Sequence, residues 1–336
     1  MNNKIIKYGI IGIGGMGANH ANLLLNNNVK NASLVAICDT NETFSKSFPK
    51  IPFYKNSSEF FNKKIIDVAI ISTPHRSHIT LGKEALENNI NVIIEKPLAV
   101  TTRLCKEFIN FANKSNAKFG IMLNQRTNPA FIKLKDMISK GQLGKIHRYQ
   151  WTITDWFRTN YYYNISDWRA TWRHEGGGVL MNQSIHQLDL CQWLFGMPDS
   201  IYTDMSLGRF HNIEVEDEVT SIMKYNDGLK GIFTTTTGEA PGVNRLEIAS
   251  EFGLLIFENN KITWNKINDS TTNYINNSKT LFDMPNVEKI EFKFPNEKNP
   301  HIEHNRILQN FTNFLLDKEE LYVPGDQGLN CVELIN

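Results

Sequence analysis

A run of strand-forming residues, Ile5, Ile6, Tyr8, Ile10 and Ile11, leads without a break into Gly12-Ile13-Gly14-Gly15-Met16-Gly17. No other stretch restricts the fold as tightly. In a G-x-G-x-x-G turn the first glycine makes the bend, the second lets backbone approach a pyrophosphate, and the third lets the following helix pack close to the strand. The pyrophosphate then meets the unpaired N–H groups at the helix N-terminus. Glycines cluster in ordinary turns too, so the context has to carry the reading. Residues 18–27 read as a helix with Leu23 and Leu24 on its buried side, and 33–38 read as a second buried strand that stops at Asp39. An acidic residue about 20 positions beyond the glycines is placed to accept hydrogen bonds from the adenosine ribose hydroxyls. Gly12, Gly14, Gly15, Met16, Gly17 and Asp39 are therefore the expected cofactor contacts. The cofactor is expected to be NAD rather than NADP: a 2′-phosphate would face the Asp39 charge, and Thr40 and Asn41 supply no arginine to offset it.

At 336 residues the chain is long enough for two domains with separate cores. Its 36 basic and 35 acidic residues leave no global field to recruit nucleic acid or an anionic membrane, which favours a small-molecule partner. No apolar run reaches membrane-spanning length, and the N-terminal residues run straight into a strand without a leader pattern. The four cysteines, Cys38, Cys105, Cys191 and Cys331, form no C-x-x-C pair, so neither a disulfide framework nor a zinc cage is expected. A reducing cytoplasm is the expected location. Asparagine is abundant throughout, which lowers the weight of any single one.

Beyond Pro49 and Pro52 the chain alternates strand and helix. Residues 65–72 are apolar on both faces, as a strand inside a parallel sheet should be. A helix over 77–88, a strand over 91–95, a helix over 101–113 and a strand over 118–123 follow. Such alternation calls for right-handed crossovers and a doubly wound parallel sheet of the Rossmann type, here given residues 1–124. Ligands bind such sheets beyond the carboxyl ends of the strands. That rule adds Thr73, Pro74, His75, His78, Glu95, Lys96 and Asn124 to the expected cofactor contacts. The bond before Pro97 can be cis at modest cost, which would aim the Lys96 ammonium into the crevice, where it can hold a substrate hydroxyl.

From residue 125 to 336 the pattern changes to a substrate-binding and oligomerisation domain. A helix over 131–139 precedes strands over 146–157, 201–209, 218–225, 229–237, 244–250 and 254–258. Their connections, including Asn226-Asp227-Gly228, are too short for crossovers, so an open, mostly antiparallel sheet is expected. Trp151, Trp156, Phe157, Tyr161, Tyr162, Tyr163, Trp168 and Trp172, interleaved with Arg158, Arg169 and Arg173, suggest a wall on which sugar C–H faces stack while hydroxyls take directed hydrogen bonds. Strand core plus a surface loop is the plainer reading of the same run. Arg126, Trp156, Trp168 and Arg169 are carried as substrate contacts; the arginines can bind a substrate phosphate or carboxylate or pair with nearby acids. Gly176-Gly177-Gly178 then opens what reads as one helix to Gly196. Asn182, His186, Asp189 and Trp193 are spaced four, three and four apart and would share its polar face. His186 is the general-base candidate, with Asn182 and Asp189 as substrate contacts.

The glycine turn, Glu95-Lys96-Pro97, and Gly176-Gly177-Gly178 followed by His186 and Asp189 together resemble the glucose-fructose oxidoreductase, inositol dehydrogenase and rhizopine-catabolism family, over nearly the whole chain. The resemblance implies hydride transfer between a sugar or cyclic polyol and the nicotinamide. It also implies a C-terminal α/β domain with an open sheet used in oligomer contacts, giving a homodimer or homotetramer, with Lys96 and His186 in the catalytic positions. One departure bears on substrate. Members similar to inositol dehydrogenase carry Asp where this chain has Asn182, and a neutral amide can orient an imidazole but cannot stabilise imidazolium by charge. The chain is closer in this respect to the branch acting on pyranosides, nucleotide sugars or levoglucosan, often at C3. Two alternatives stay open: a glycosidase that oxidises its sugar transiently with tightly held NAD, and a non-catalytic NAD-dependent sugar sensor. His301 and His304 are expected to be structural, ahead of a helix over 305–316 that packs back across the domains; residues 326–336 read as a helix cut before its cap. Replacing Lys96 by alanine is expected to abolish turnover with NAD affinity near normal, measured by steady-state kinetics beside NADH fluorescence titration. Retained turnover removes Lys96 from the chemistry.

Overall fold

The computed structural model describes residues 4–295, 297 and 299–336. From the N-terminus the strands and helices run β1 (Ile6–Ile11), α1 (Gly15–Leu25), β2 (Ala32–Cys38), β3 (Phe53–Tyr54), α2 (Ser57–Asn62), β4 (Val68–Ile71), α3 (His78–Glu87), β5 (Asn91–Ile94), α4 (Thr102–Ala112) and β6 (Phe119–Ile121). They continue with α5 (Pro129–Ser139), β7 (Ile146–Ile153), α6 (Asn160–Asn164), α7 (Ile185–Phe195), β8 (Ser200–Leu207), β9 (Glu216–Lys224), β10 (Lys230–Thr236), β11 (Asn244–Ser250), β12 (Gly253–Glu258), β13 (Lys261–Ile267), α8 (Thr271–Asn277) and β14 (Val287–Lys293). The last two helices are α9 (Ile302–Leu315) and α10 (Gly328–Ile335). The chain forms two compact units. One comprises the described residues through Thr127, with Trp172–Gly176 and Asn299–Asn336; the other comprises Asn128–Thr171 and the described residues from Gly177 to 297.

The first unit holds a six-stranded sheet in the order β3-β2-β1-β4-β5-β6. All its ladders are parallel. This order reverses direction between β1 and β4, which opens a crevice at the carboxyl ends of the strands. Val68, Ala69, Ile70 and Ile71 are fully buried, as the apolar run predicts for a strand covered on both faces. The polar Tyr8 sits in the centre of the sheet because its hydroxyl pairs at 2.8 Å with Thr312 Oγ1 of α9, so α9 covers one sheet face. Two glycines are required by contact. Gly12 has φ +87° and lies against the Ser72 backbone, and a Cβ on Gly17 would stand 1.8 Å from the Gly12 carbonyl oxygen. The expected α/β architecture is therefore present, with α1 starting three residues earlier than the helix read from residue 18.

The second unit is built on an eight-stranded sheet in the order β14-β13-β12-β11-β7-β10-β9-β8. Its ladders are antiparallel except β7 with β10, whose long connection permits parallel pairing. The edge strand β8 leaves Tyr202 70% and Met205 54% exposed. β13, β14 and α8 were not foreseen. Among the described residues no helix is long and apolar enough to cross a membrane.

The helix read from Gly176 to Gly196 is corrected. Only Ile185–Phe195 is helical. Residues 179–184 form turns, and the buried Glu216 holds the start of the segment: its Oε1 accepts from Gly178 N at 2.8 Å and Leu180 N at 3.2 Å, and its carbonyl accepts from Val179 N. These are the amides at the start of the segment, and further on Asn182 N donates to the Gly178 carbonyl at 3.1 Å and Ser184 N to the Val179 carbonyl at 2.7 Å. Asn182 therefore stands on this turn rather than one helical turn below His186.

Candidate functional site

The glycine turn of the first unit fits a dinucleotide. A Cβ at Gly14 or Gly15 would meet nothing within 4 Å, so the open side of the turn has room for a ligand. The first turn of α1 carries no acidic residue and no side-chain cap, which leaves its N–H groups unclaimed by side chains. Asp39 lies just past β2 and is tied to the turn itself: Oδ2 accepts from Ile13 N at 2.7 Å and Oδ1 from Asn41 N at 2.8 Å. The remaining lone pairs of this carboxylate are what a ribose can use.

Beyond the carboxyl ends of β4, β5 and β6 lie Thr73, Glu95 and Asn124. Thr73 Oγ1 accepts from Ser77 Oγ at 2.7 Å. His75 is buried, and its Nδ1–H donates to the Glu175 carbonyl at 2.9 Å, which fixes Nε2 as the acceptor nitrogen. Burial, with the neighbouring His78 and Lys96, pushes His75 down to about 3, so the ring is neutral. His78 is fully enclosed, with Nδ1 2.8 Å from the Pro97 carbonyl and Nε2 2.8 Å from the Thr73 carbonyl. Burial holds it below the ordinary histidine value. Both ring nitrogens face carbonyl oxygens, and a neutral ring donates to only one of them at a time, so the ring is committed to the backbone of two strand ends. Asn124 donates from Nδ2 to Glu303 Oε2 at 3.0 Å, while its buried Oδ1 and the buried Ser72 Oγ have no partner. Orphaned polar atoms at the strand ends are what a bound polar ring would satisfy.

Lys96 is half-buried, and the Lys96–Pro97 peptide is cis. Its N–H donates to Glu95 Oε2 at 3.3 Å. The other oxygen, Oε1, lies 2.7 Å from His20 Nε2, a ring with no solvent exposure. The His304 ring stands edge-on to His20, with centroids 5.8 Å apart. Burial alone would raise the Glu95 carboxyl. The His20 hydrogen bond and the charges of His20, His304 and Lys96 override it and bring Glu95 down to about 2. His304 is itself lowered to about 4, chiefly by burial. The sequence reading left His20 out. Its signal was available, since His20 precedes Leu24 by one helical turn and shares the buried side of α1.

Arg126 was carried as a substrate contact. The structure encloses it at 1% exposure and gives its guanidinium an interior partner, the Gln327 side chain. In the second unit Asp189 is likewise enclosed at 1% exposure and accepts from Gln192 Nε2 at 2.9 Å, so it braces α7 rather than lining an open surface. His186 and Trp193 are the more accessible positions on that helix, and Asn182 on the preceding turn is also half-buried. Trp151 is core. Trp156, Trp168 and Arg169 stand together with Arg158 around Tyr162, whose hydroxyl accepts from Gln183 Nε2 at 3.4 Å.

Two family models match the chain: "Oxidoreductase family, NAD-binding Rossmann fold" over residues 6–123 and "GFO/IDH/MocA C-terminal domain" over 131–256. The uncharacterized oxidoreductase YdgJ of Escherichia coli strain K12 is 29% identical over 206 residues, which are 60% of this chain and 57% of that one. The inositol 2-dehydrogenase of Salmonella typhimurium strain LT2 is 27% identical over 199 residues, 56% of this chain and 54% of that one. The chain thus spans little more than half the length of these relatives. The WlbA dehydrogenase of Bordetella pertussis, solved with NADH and UDP-GlcNAcA, superposes with a TM-score of 0.81 at 23% identity, covering 99% of this chain and 94% of that one. At that identity the likeness is one of fold.

The buried pair at Glu95 sets an expected pH dependence. Its folded value of about 2 lies below the ordinary 4.5, so the stability it contributes is fully present above 4.5 and is lost as pH falls toward 2. Glu95→Gln is expected to cost about 1.5–3 kcal/mol near neutral pH, the range for a hydrogen bond to a charged group. Urea unfolding of both proteins should show the gap closing across that acid window; a gap independent of pH would mean that Glu95 is protonated in the folded protein.

Proposed function

The chain belongs to the GFO/IDH/MocA family of oxidoreductases, and on that premise we propose that it oxidises a secondary alcohol of a sugar, sugar derivative or cyclic polyol with NAD. The observation that carries the reading is the open glycine turn on the same sheet crest as Lys96, whose backbone N–H is held by the locked Glu95 carboxylate. NAD supplies the two-electron acceptor. Gly12, Gly14, Gly15, Met16 and Gly17 receive its pyrophosphate, Asp39 its ribose, and the Thr73–His75, Glu95–Lys96 and Asn124 strand ends its nicotinamide half.

His186 takes the hydroxyl proton as the carbon is oxidised, and the Lys96 ammonium holds the oxygen on which charge develops. Asn182 can orient the imidazole but adds no charge to it, which shifts more of the electrostatic stabilisation onto Lys96. A pyranose oxidised at C3 suits this arrangement better than an inositol. Stacking of the sugar falls to Trp156 and Trp168.

A second copy of the chain covers the exposed sheet face at β8 and β9, where Tyr202 and its cross-strand neighbour Ile222 are open. Sedimentation equilibrium should then report a dimer or tetramer that Tyr202→Lys weakens; an unchanged assembly, or a monomer in both proteins, rejects this face as the interface.

The function is tested by following NADH absorbance with hexoses, glycosides, anhydrosugars, inositols and sugar phosphates. At least one should reduce NAD, with NADP clearly poorer because of Asp39, and His186→Ala should lower kcat by about 100-fold or more, the usual reach of a general base. Free sugar released from a glycoside without NADH accumulation would instead favour the transient-oxidation glycosidase, and an inert panel the sensor.

A further inference from the structure

The stretch between β7 and α7 carries two arginines, Arg158 and Arg169, that pair with no carboxylate among the described residues. Arg158 and Arg169 lie over the same ring, with their guanidinium carbons 4.9 Å and 4.5 Å from the centroid of Tyr162. Arg158 also lies 5.5 Å from the centroid of Trp156, and Arg169 5.4 Å from that of Trp168. Neither makes an ion pair with a carboxylate among the described residues. Asp155 acts on Arg158 only through its longer-range field. The one side-chain hydrogen bond of Arg158 runs from Nη1 to the Phe157 carbonyl at 2.8 Å. Arg158 Nε, Arg169 Nε and Trp156 Nε1 are all buried and have no partner.

Three features make this more than a stacked surface loop. Two like charges gathered on one ring repel, and the attraction of each to the π face offsets this only in part. Buried N–H donors with no acceptor add to the cost, since each has lost its water. The support beneath the arginines is also rigid: Arg158 N donates to the Thr237 carbonyl at 2.9 Å, and the Arg158 carbonyl accepts from His211 Nε2 at 2.9 Å. Beside them the buried Tyr163 donates its hydroxyl to Thr237 Oγ1 at 3.0 Å. An arrangement this costly is held open by the fold, and an anion with paired oxygens would relieve both the repulsion and the missing acceptors. The guanidinium fork matches the paired oxygens of a carboxylate or phosphate. The cluster also adjoins the catalytic helix of the same unit, because Tyr162 is bonded to Gln183, the neighbour of Asn182 and three residues before His186.

We propose that the substrate is an anionic sugar, and that Arg158 and Arg169 hold its carboxylate or phosphate over Tyr162. That the ligand is a sugar rests on the dehydrogenase reading; that the site takes an anion does not.

Calorimetric titration of the full chain with D-glucuronate, D-glucose 6-phosphate and D-glucose tests this and separates the two sources of charge. At least one anion should bind at least tenfold more tightly than D-glucose. Arg158→Gln and Arg169→Gln should each remove at least tenfold of that affinity, a larger loss than either causes for D-glucose, while Arg169→Lys, which keeps charge without the fork, should fall between. Should a glutamine variant fail to fold, the lysine variant carries the comparison. The proposal is overturned by anions binding no more tightly than D-glucose, or by variants of native Tm that bind them as the unaltered protein does. Anion binding with no NADH from any sugar would sink the dehydrogenase reading alone. NADH from neutral sugars with no anion binding would sink this one alone.

Discussion

A dry, ionised carboxylate at the end of β5 is the constraint on which the first unit's chemistry depends. Glu95 is 7% exposed, and in such surroundings an unpartnered carboxyl would take up a proton. The His20 ring prevents this from below, and the charges of His304 and Lys96 add to it. Because the group stays ionised, its two oxygens serve two elements at once. One holds the helix that opens at the glycine turn; the other holds the N–H of Lys96. The nucleotide end and the lysine end of the sheet crest thereby share a single polar anchor, and neither can shift alone without unpairing a buried group.

The second unit handles charge in two opposite ways. Glu216 is enclosed and faces only backbone amides, and burial raises its carboxyl above the ordinary value. Its effect is conformational, since it ties the start of the turn before α7 to β9. Arg158 and Arg169 are the reverse, two permanent cations that the fold collects without a carboxylate. The first arrangement spends a charge on shape. The second keeps charge available for something that is not part of the chain.

Most of the sheet of the first unit was readable because its strands are covered on both faces, and continuous apolar runs between turn residues have few other solutions. Boundaries moved by a few residues, as at β4, which is shorter than the run over 65–72. The hairpin of β12 and β13 was legible but passed over. Asn259 and Asn260 both adopt positive φ, 51° and 54°, the conformation of a type I′ hairpin turn that asparagine favours. In an asparagine-rich chain that signal was discounted, and Ile262 and Trp264 in the strand that follows, both buried, went unread. Helical spacing placed Asn182 on a helix that begins only at Ile185, because periodicity cannot see where the first regular turn forms. Arg126 and Asp189 were equally opaque, since their interior partners Gln327 and Gln192 are a matter of packing.

By itself the sequence determined the local conformations that only certain residues can adopt. Gly12 takes a positive φ, Gly17 stands where any side chain would strike the Gly12 carbonyl, Asp39 ends the second strand, and unbroken apolar runs favour buried parallel strands. Those are short-range steric and solvation rules, and they act before the chain has a tertiary structure. Which charges are hidden, shared or left open was decided only by the fold. The depressed Glu95, the turned-out 179–184 segment and the unpaired arginines over Tyr162 each depend on groups brought together from distant positions, and their energies come from the loss of water around them.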